Sequence, residues 1–211
     1  MGKVVLGVFG LGCFRVAVHF EGDPWNIVAE QAPIRSVLPL GTVITLPATG
    51  SEMNRFFVIT KEATQEKIAC GNEQVFPQFS VLDPETTFSL PARQISNGII
   101  DAFTHTVEQY LTYPVNSPLQ DRMAESILQT LIEEGPKTLA HPTDYDARAN
   151  VMWCAAMALN GLIGVGVPQD WASRNERFAG RECAFADHTI TMTLCVCILT
   201  HVAQDGALLH R

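Results

Sequence analysis

The sequence lacks any long apolar run, since no stretch reaches the roughly 18 apolar residues that a membrane-spanning helix needs. It also lacks an excess of basic residues, with 14 Lys and Arg against 22 Asp and Glu and a formal net charge of −8. Nucleic acids and anionic membranes both require a basic face on the protein that binds them. We therefore expect neither a nucleic acid nor a membrane as a partner.

The six cysteines lack the C-x-x-C spacing of zinc and redox motifs, because no two of them are separated by two residues. Scattered cysteines in apolar surroundings are typical of buried free thiols in a reducing compartment. The first residues, MGKVVLGVFGLGCF, imitate a signal peptide but lack a convincing small-x-small cleavage site. We expect a cytoplasmic protein.

The periodicity of apolar residues changes near residue 90. Before this point, short apolar runs between turn residues predict strands at 37–46, 56–60 and 79–82, with KEATQEK (61–67) as an exposed turn. After it, the spacing becomes helical. The sequence therefore predicts a partial α/β part over 1–90 and an all-helical part over 91–211.

Three helices are predicted in the second part. The first begins at Pro91 and runs to Tyr110. The second begins at Ser117, which opens a capping-box pattern, and is expected to stop at Gly135-Pro136. The third is capped by Thr143 or Asp144 and continues through the apolar residues up to 162.

Asp101 and His105 lie four residues apart in the helical segment GIIDAFTHTVEQY (98–110). Residues at i and i+4 share one helix face, so both side chains can reach one point. A carboxylate oxygen and an imidazole nitrogen at one point form half of a site for a divalent metal. The spacing alone is equally consistent with, and more often means, an Asp–His hydrogen bond on a solvated face.

Four longer segments give this pair its context: VITLPATGSEMN (43–54), VLDPETTFSLPARQISNGIIDAFTHTVEQY (81–110), QDRMAESILQTLIEEGPKTL (120–139) and YDARANVMWCAAMALNGLIGVGVPQDWA (145–172). Together they resemble the iron-containing alcohol dehydrogenase family, specifically its NADPH-dependent butanol dehydrogenase and aldehyde reductase branch. The resemblance covers residues 23–172. It implies a dehydroquinate synthase-like fold, incomplete here, with a cofactor-binding α/β domain followed by an all-helical metal-binding domain.

The resemblance implies a metal-dependent enzyme that transfers hydride between NAD(P)H and small aldehydes or primary alcohols. Family members hold Fe²⁺ or Zn²⁺ with one aspartate and three histidines. The matching positions here are Asp101, His105 and His188, while Arg174 occupies the position of the remaining histidine. A guanidinium cannot ligate a cation and would repel it.

The resemblance also implies where the dinucleotide lies. Thr45, Thr49, Gly50 and Ser51 of the T-L-P-A-T-G-S turn match family positions along the cofactor, and Lys67 matches a lysine that contacts it. NADP is the expected cofactor, with NAD as the alternative. Read without the family, the turn is an ordinary strand end and the lysine a solvated surface charge.

The two ends of the chain depart from the family pattern. The glycine-rich phosphate turn of the family is replaced by GVFGLGCFRVAV (7–18), and residues 173–211 match poorly apart from Asp187-His188. We expect a truncated or frame-disturbed copy.

Three functions remain open from the sequence: a metal-dependent oxidoreductase, a catalytically inactive fragment that lacks the dinucleotide site, and a non-catalytic interaction module. The enzyme would act on a small aldehyde or alcohol and form a homodimer or higher oligomer. Phe103 and Trp153 are candidate pocket linings, although we expect Trp153 in the core.

Overall fold

The structure, a computed structural model, describes residues 20–34, 36–61, 64 and 66–169, without the side chains of Thr60 and Lys67. The chain divides into two compact units. The first comprises the described residues up to Ile44 together with Ser51–Leu82, and the second comprises Thr45–Gly50 with the described residues from Asp83 onward. The predicted boundary at residue 90 stays a prediction.

In the described part of the first unit there are one short α-helix, two 3-10 helices and two small sheets. Its elements are α1 (Asn26–Ala29), β1 (Gly41–Val43), β2 (Phe56–Lys61), β3 (Glu66–Gly71) and β4 (Phe79–Val81). Strand β1 pairs in parallel with β4, and β2 pairs antiparallel with β3 in a register that runs from Phe56 opposite Gly71 to Lys61 opposite Glu66. A core of Ile27, Val28, Phe57 and Val75 holds α1 and the hairpin together.

The strands of the first unit correct part of the sequence prediction. The strand expected over 37–46 is only β1, and Val43 on it is 55% exposed rather than buried. The turn expected over 61–67 is shorter, because β3 already begins at Glu66. This segment forms a strand because it pairs with β2, where Ile68 lies opposite Ile59. The charged residues at the start of β3 favoured a turn instead.

As far as residue 169, where its description ends, the second unit has three α-helices, α2 (Ala92–Tyr110), α3 (Pro118–Ala140) and α4 (Tyr145–Leu159), preceded by a 3-10 helix at Pro84–Thr87. Each helix packs against the other two. The core between them consists of the buried residues Ala102, Phe103, Ala124, Ile127, Leu128, Leu131, Val151, Cys154, Ala155, Ala158 and Ile163.

Local side-chain hydrogen bonds act at two of the three helix ends described next, and burial acts at the third. Asp144 caps α4 as predicted, accepting a hydrogen bond from the backbone N–H of Ala147. Ser117 precedes α3 without a capping bond, because its hydroxyl is directed at Asp121 instead. The predicted stop at Gly135-Pro136 is wrong, since α3 continues to Ala140. Its last turn is held by burial, as Thr138 is completely enclosed.

Trp153 is 54% exposed, so the expectation that it belongs to the core is wrong. It lies on α4 opposite the stripe that packs against α2 and α3.

Among the helices that the structure describes, none is both long enough and apolar enough to cross a lipid bilayer.

Candidate active site

Helix α2 presents Asp101 and His105 on one face, one turn apart. His105 is completely buried, while the Asp101 side chain is 24% exposed. The Nε2 atom of His105 lies 3.6 Å from Oδ1 of Asp101. That separation is too long for a hydrogen bond between the two groups. The helix therefore holds the carboxylate and the imidazole as close neighbours.

The pair fits a shared divalent ion. Two donors that each lie about 2.1 Å from a tetrahedral ion are roughly 3.4 Å apart, and the observed separation is 3.6 Å. The donor set, one carboxylate oxygen and one imidazole nitrogen, suits both Fe²⁺ and Zn²⁺. Burial of His105 in the helix interface also restricts the rotation of its ring.

The predicted ligand set has one further member, His188, and Arg174 occupies the position of the remaining family ligand. His188 and Arg174 lie outside the described residues. Within the described ranges, no group of three or more His, Cys, Asp or Glu side chains is arranged to hold a metal ion. The structure thus describes two of the three predicted ligands, Asp101 and His105, and their role as metal ligands stays a prediction.

The predicted cofactor turn rests directly on α2 and α4. A Cβ atom at Gly98 would lie 2.2 Å from the carbonyl oxygen of Pro47, so only glycine lets α2 approach the turn this closely. Gly50 has φ +59°, a conformation that favours glycine, and a Cβ there would lie 2.9 Å from the carbonyl oxygen of Ala155. The turn therefore contacts α2 at Gly98, three residues before Asp101.

The five predicted cofactor residues fall in different places. Thr45 is exposed, Thr49 is half-buried and Gly50 is buried, all within the Thr45–Gly50 turn of the second unit. Ser51 is buried and begins a 3-10 helix of the first unit. Lys67 pairs with Thr60 in the β2–β3 hairpin, and its side chain is not described.

Glu52 is a buried carboxyl that the sequence did not single out. It follows Ser51 and is 4% exposed. The Ser80 hydroxyl donates to its backbone carbonyl at 2.7 Å, and Thr42 donates to the Ser80 hydroxyl at 2.8 Å. Burial raises the pKa of its carboxyl above the ordinary value. The β1 and β4 strands thus fix the backbone directly after the cofactor turn.

Comparison with known proteins identifies this arrangement. The model of iron-containing alcohol dehydrogenases matches residues 13–84, and the model of the C-terminal part of the Fe-containing alcohol dehydrogenase family matches residues 95–174. The chain belongs to the iron-containing alcohol dehydrogenase family. The predicted resemblance is confirmed, and the D-x-x-x-H pair lies inside the second match.

Individual family members agree with this assignment. The chain is 51% identical to the NADPH-dependent aldehyde reductase YqhD of Escherichia coli over 187 residues, which are 87% of this chain and 48% of that protein. It is 44% identical to the probable NADH-dependent butanol dehydrogenase 1 of Bacillus subtilis over 156 residues, 74% of this chain and 40% of that protein. The chain spans about half the length of the curated relatives it matches.

Solved structures of the family confirm the predicted fold class. The substrate- and cofactor-free form of YqhD from E. coli matches 94% of this chain and 51% of its own chain, with a TM-score of 0.78 and 45% identity. The partial α/β part followed by a helical part therefore has the architecture of an iron-containing alcohol dehydrogenase.

Sequence reasoning also missed Gln109, a buried polar residue on the helix that carries His105. Gln109 is 2% exposed and donates from Nε2 to the carbonyl oxygens of His105 and Ala158. Its position four residues after His105 was the available signal, because i and i+4 residues meet on a helix face. Phe103, a candidate pocket lining, is buried in the helical core.

Proposed function

We propose that this chain carries the metal half-site and part of the cofactor site of an enzyme that transfers hydride between NAD(P)H and small aldehydes or primary alcohols. The observation that carries the proposal is the Asp101–His105 pair on α2, with donor atoms 3.6 Å apart. Family membership supports a metal-ligand role for this pair, since the same spacing in an isolated helix would favour no particular chemistry.

The proposed ligands are Asp101, His105 and His188, holding Fe²⁺ or Zn²⁺. When bound, the ion supplies a Lewis acid that favours negative charge on the substrate oxygen. Asp101 contributes the negative charge that offsets the cation, and its partial exposure leaves this side of the pair accessible. His105 contributes a neutral nitrogen donor held rigidly by burial.

The proposed cofactor contacts are Thr45, Thr49, Gly50, Ser51 and Lys67. Thr45 is exposed and can meet a ligand directly, whereas the buried Gly50 fixes the path of the turn. Small hydroxyl residues and glycine allow a phosphate or ribose to approach the backbone. Because this turn packs against α2, the proposed cofactor contacts lie next to the helix that bears Asp101 and His105.

We propose NADP as the cofactor, with NAD as the alternative, because the relative at 51% identity is NADPH-dependent and the one at 44% is named as NADH-dependent. We propose a cytoplasmic homodimer or higher oligomer. The cysteines of the described part, Cys70 and Cys154, are free thiols, which is typical of a reducing compartment.

The second candidate is a catalytically inactive member of the family. It is favoured by Arg174, which stands where the resemblance places a ligand and cannot serve as one. An arginine near two ligands would weaken metal binding through both the lost bond and charge repulsion.

The test measures bound metal and NADPH-dependent aldehyde reduction on the same sample, with the parent chain and Arg174→His. The proposal expects bound Fe²⁺ or Zn²⁺ in the parent chain and tighter binding in the variant. Absence of metal from the parent with gain in the variant favours the inactive member. Absence of metal from both contradicts the placement of the site.

A further inference from the structure

Gln109 ties the turn that carries His105 to another helix. Its Nε2 atom donates to the carbonyl oxygen of His105 at 2.7 Å and to that of Ala158 at 2.8 Å. Ala158 belongs to the last turn of α4, whose carbonyls have no partner within their own helix. One buried amide therefore satisfies the end of α4 and holds it against the metal-ligand turn of α2.

The loop that follows α4 packs over the same amide. A Cβ atom at Gly164 would lie 2.8 Å from Oε1 of Gln109 and 2.4 Å from Nε2 of Gln169, so a side chain there would displace both. Gln169 donates to the carbonyl of Gly164 at 3.1 Å, and Gln120 of α3 donates to that of Val165 at 2.8 Å. Two glutamine amides thus bond the backbone at Gly164 and Val165, and the Gln109 amide lies close beside Gly164.

The arrangement constrains His105 from its backbone side. The imidazole is completely buried, so its direction depends on where the α2 turn lies against α4. Loss of the Gln109 amide would leave the Ala158 carbonyl without this donor in a buried place, which destabilises the local arrangement. Groups that orient a metal ligand in this way commonly change metal affinity by about 10–100-fold when they are replaced.

We propose that Gln109 is a positioning residue for the metal site, acting through the backbone of His105. This inference rests on the proposed function, because it assigns Gln109 a role only if His105 holds a metal. Gly164 supports the role, since the absence of its side chain lets the loop close on the Gln109 amide.

The test replaces Gln109 with methionine, which has a similar length but no amide. We expect binding of Zn²⁺, followed by titration calorimetry, to weaken at least tenfold in Gln109→Met. The matched control is Gln129→Met on α3, an exposed glutamine whose amide contacts only Glu133 among the described residues. The control should bind Zn²⁺ within about twofold of the parent chain.

Hydrogen exchange of the backbone provides a second readout that needs no metal. Gln109→Met should speed exchange in residues 105–111 and 158–165, while Gln129→Met should leave both segments unchanged. A merely structural loss would instead raise exchange across all three helices.

The outcomes separate the inference from the proposed function. If the parent chain binds Zn²⁺ and Gln109→Met binds it equally well, the inference is overturned and the proposed function stands. If the parent binds no metal, the proposed function fails. In that case the inference fails with it, because Gln109 has a positioning role only if His105 holds a metal.

Discussion

Replacing Gly98 with alanine tests how the cofactor turn is seated on the metal-ligand helix. The new Cβ atom would lie 2.2 Å from the carbonyl oxygen of Pro47, whereas ordinary contacts begin at 3.4 Å. The turn or the helix must therefore shift by about 1.2 Å, and backbone atoms cannot rotate away as a side chain can. Gly98→Ala thus strains the contact between the turn and α2 directly.

The expected magnitude combines two opposing terms. Overpacking a well-packed interior costs about 1–3 kcal/mol. Alanine gains roughly 0.5–1 kcal/mol over glycine within a helix. Because the clash is with backbone, we expect the first term to lie in its upper part, leaving a net destabilisation of about 1–2 kcal/mol.

Gly135→Ala is the matched control for this substitution. Gly135 is also a buried glycine within a helix, but the nearest atoms that a Cβ there would meet belong to the Ile99 side chain, at 3.3 Å. A side chain can yield by a few tenths of an ångström, so this variant should be neutral or slightly stabilised by its helix propensity.

The assay is urea unfolding followed by circular dichroism at 222 nm, with binding of NADPH measured on the folded variants. Gly98→Ala should lower the midpoint of unfolding and weaken NADPH binding, while Gly135→Ala should do neither. If Gly98→Ala matched the control in both measurements, the close contact between Gly98 of α2 and the Pro47 carbonyl would be wrong.

Three further substitutions test the fold and its ionisation. Leu131→Ala should lower the unfolding free energy by about 2–5 kcal/mol, since Leu131 is 2% exposed in the helical core; a loss under 1 kcal/mol in urea unfolding would contradict this packing. Asp144→Ala should cost about 1 kcal/mol by removing the cap of α4, and an unchanged thermal midpoint would refute the cap. Glu52→Gln tests the buried carboxyl, whose folded pKa is raised by desolvation. Because the unfolded carboxyl ionises first, the parent chain should lose stability relative to the variant as pH rises above the ordinary value of 4.5. A stability difference independent of pH would show that Glu52 is not desolvated.

The helical unit could be predicted well because its signals are local. The stripe containing Ile95, Phe103 and Val107 repeats at helical spacing, and the Asp144 cap precedes its helix directly. The predicted stop at Pro136 failed because burial of the last turn of α3 outweighs the local signal. Strand β3 was not predicted because it depends on pairing with β2, which the residues of β3 alone do not indicate.

In the candidate site, too, the local features could be predicted and the contacts between distant residues could not. The Asp101–His105 pair was visible because both residues lie on one helix face. The seat of Pro47 on Gly98 and the bond from Gln109 to Ala158 join residues about fifty positions apart. No local pattern predicts such contacts, because they depend on how the helices and the turn pack in three dimensions.

Zinc binding to His105→Ala, measured beside the parent chain and His141→Ala, shows whether α2 carries the metal. His141 is an exposed histidine after α3 and serves as the matched control. We expect the parent and His141→Ala each to bind one Zn²⁺ per chain and His105→Ala to bind none. Equal binding by all three chains would show that α2 does not carry the metal.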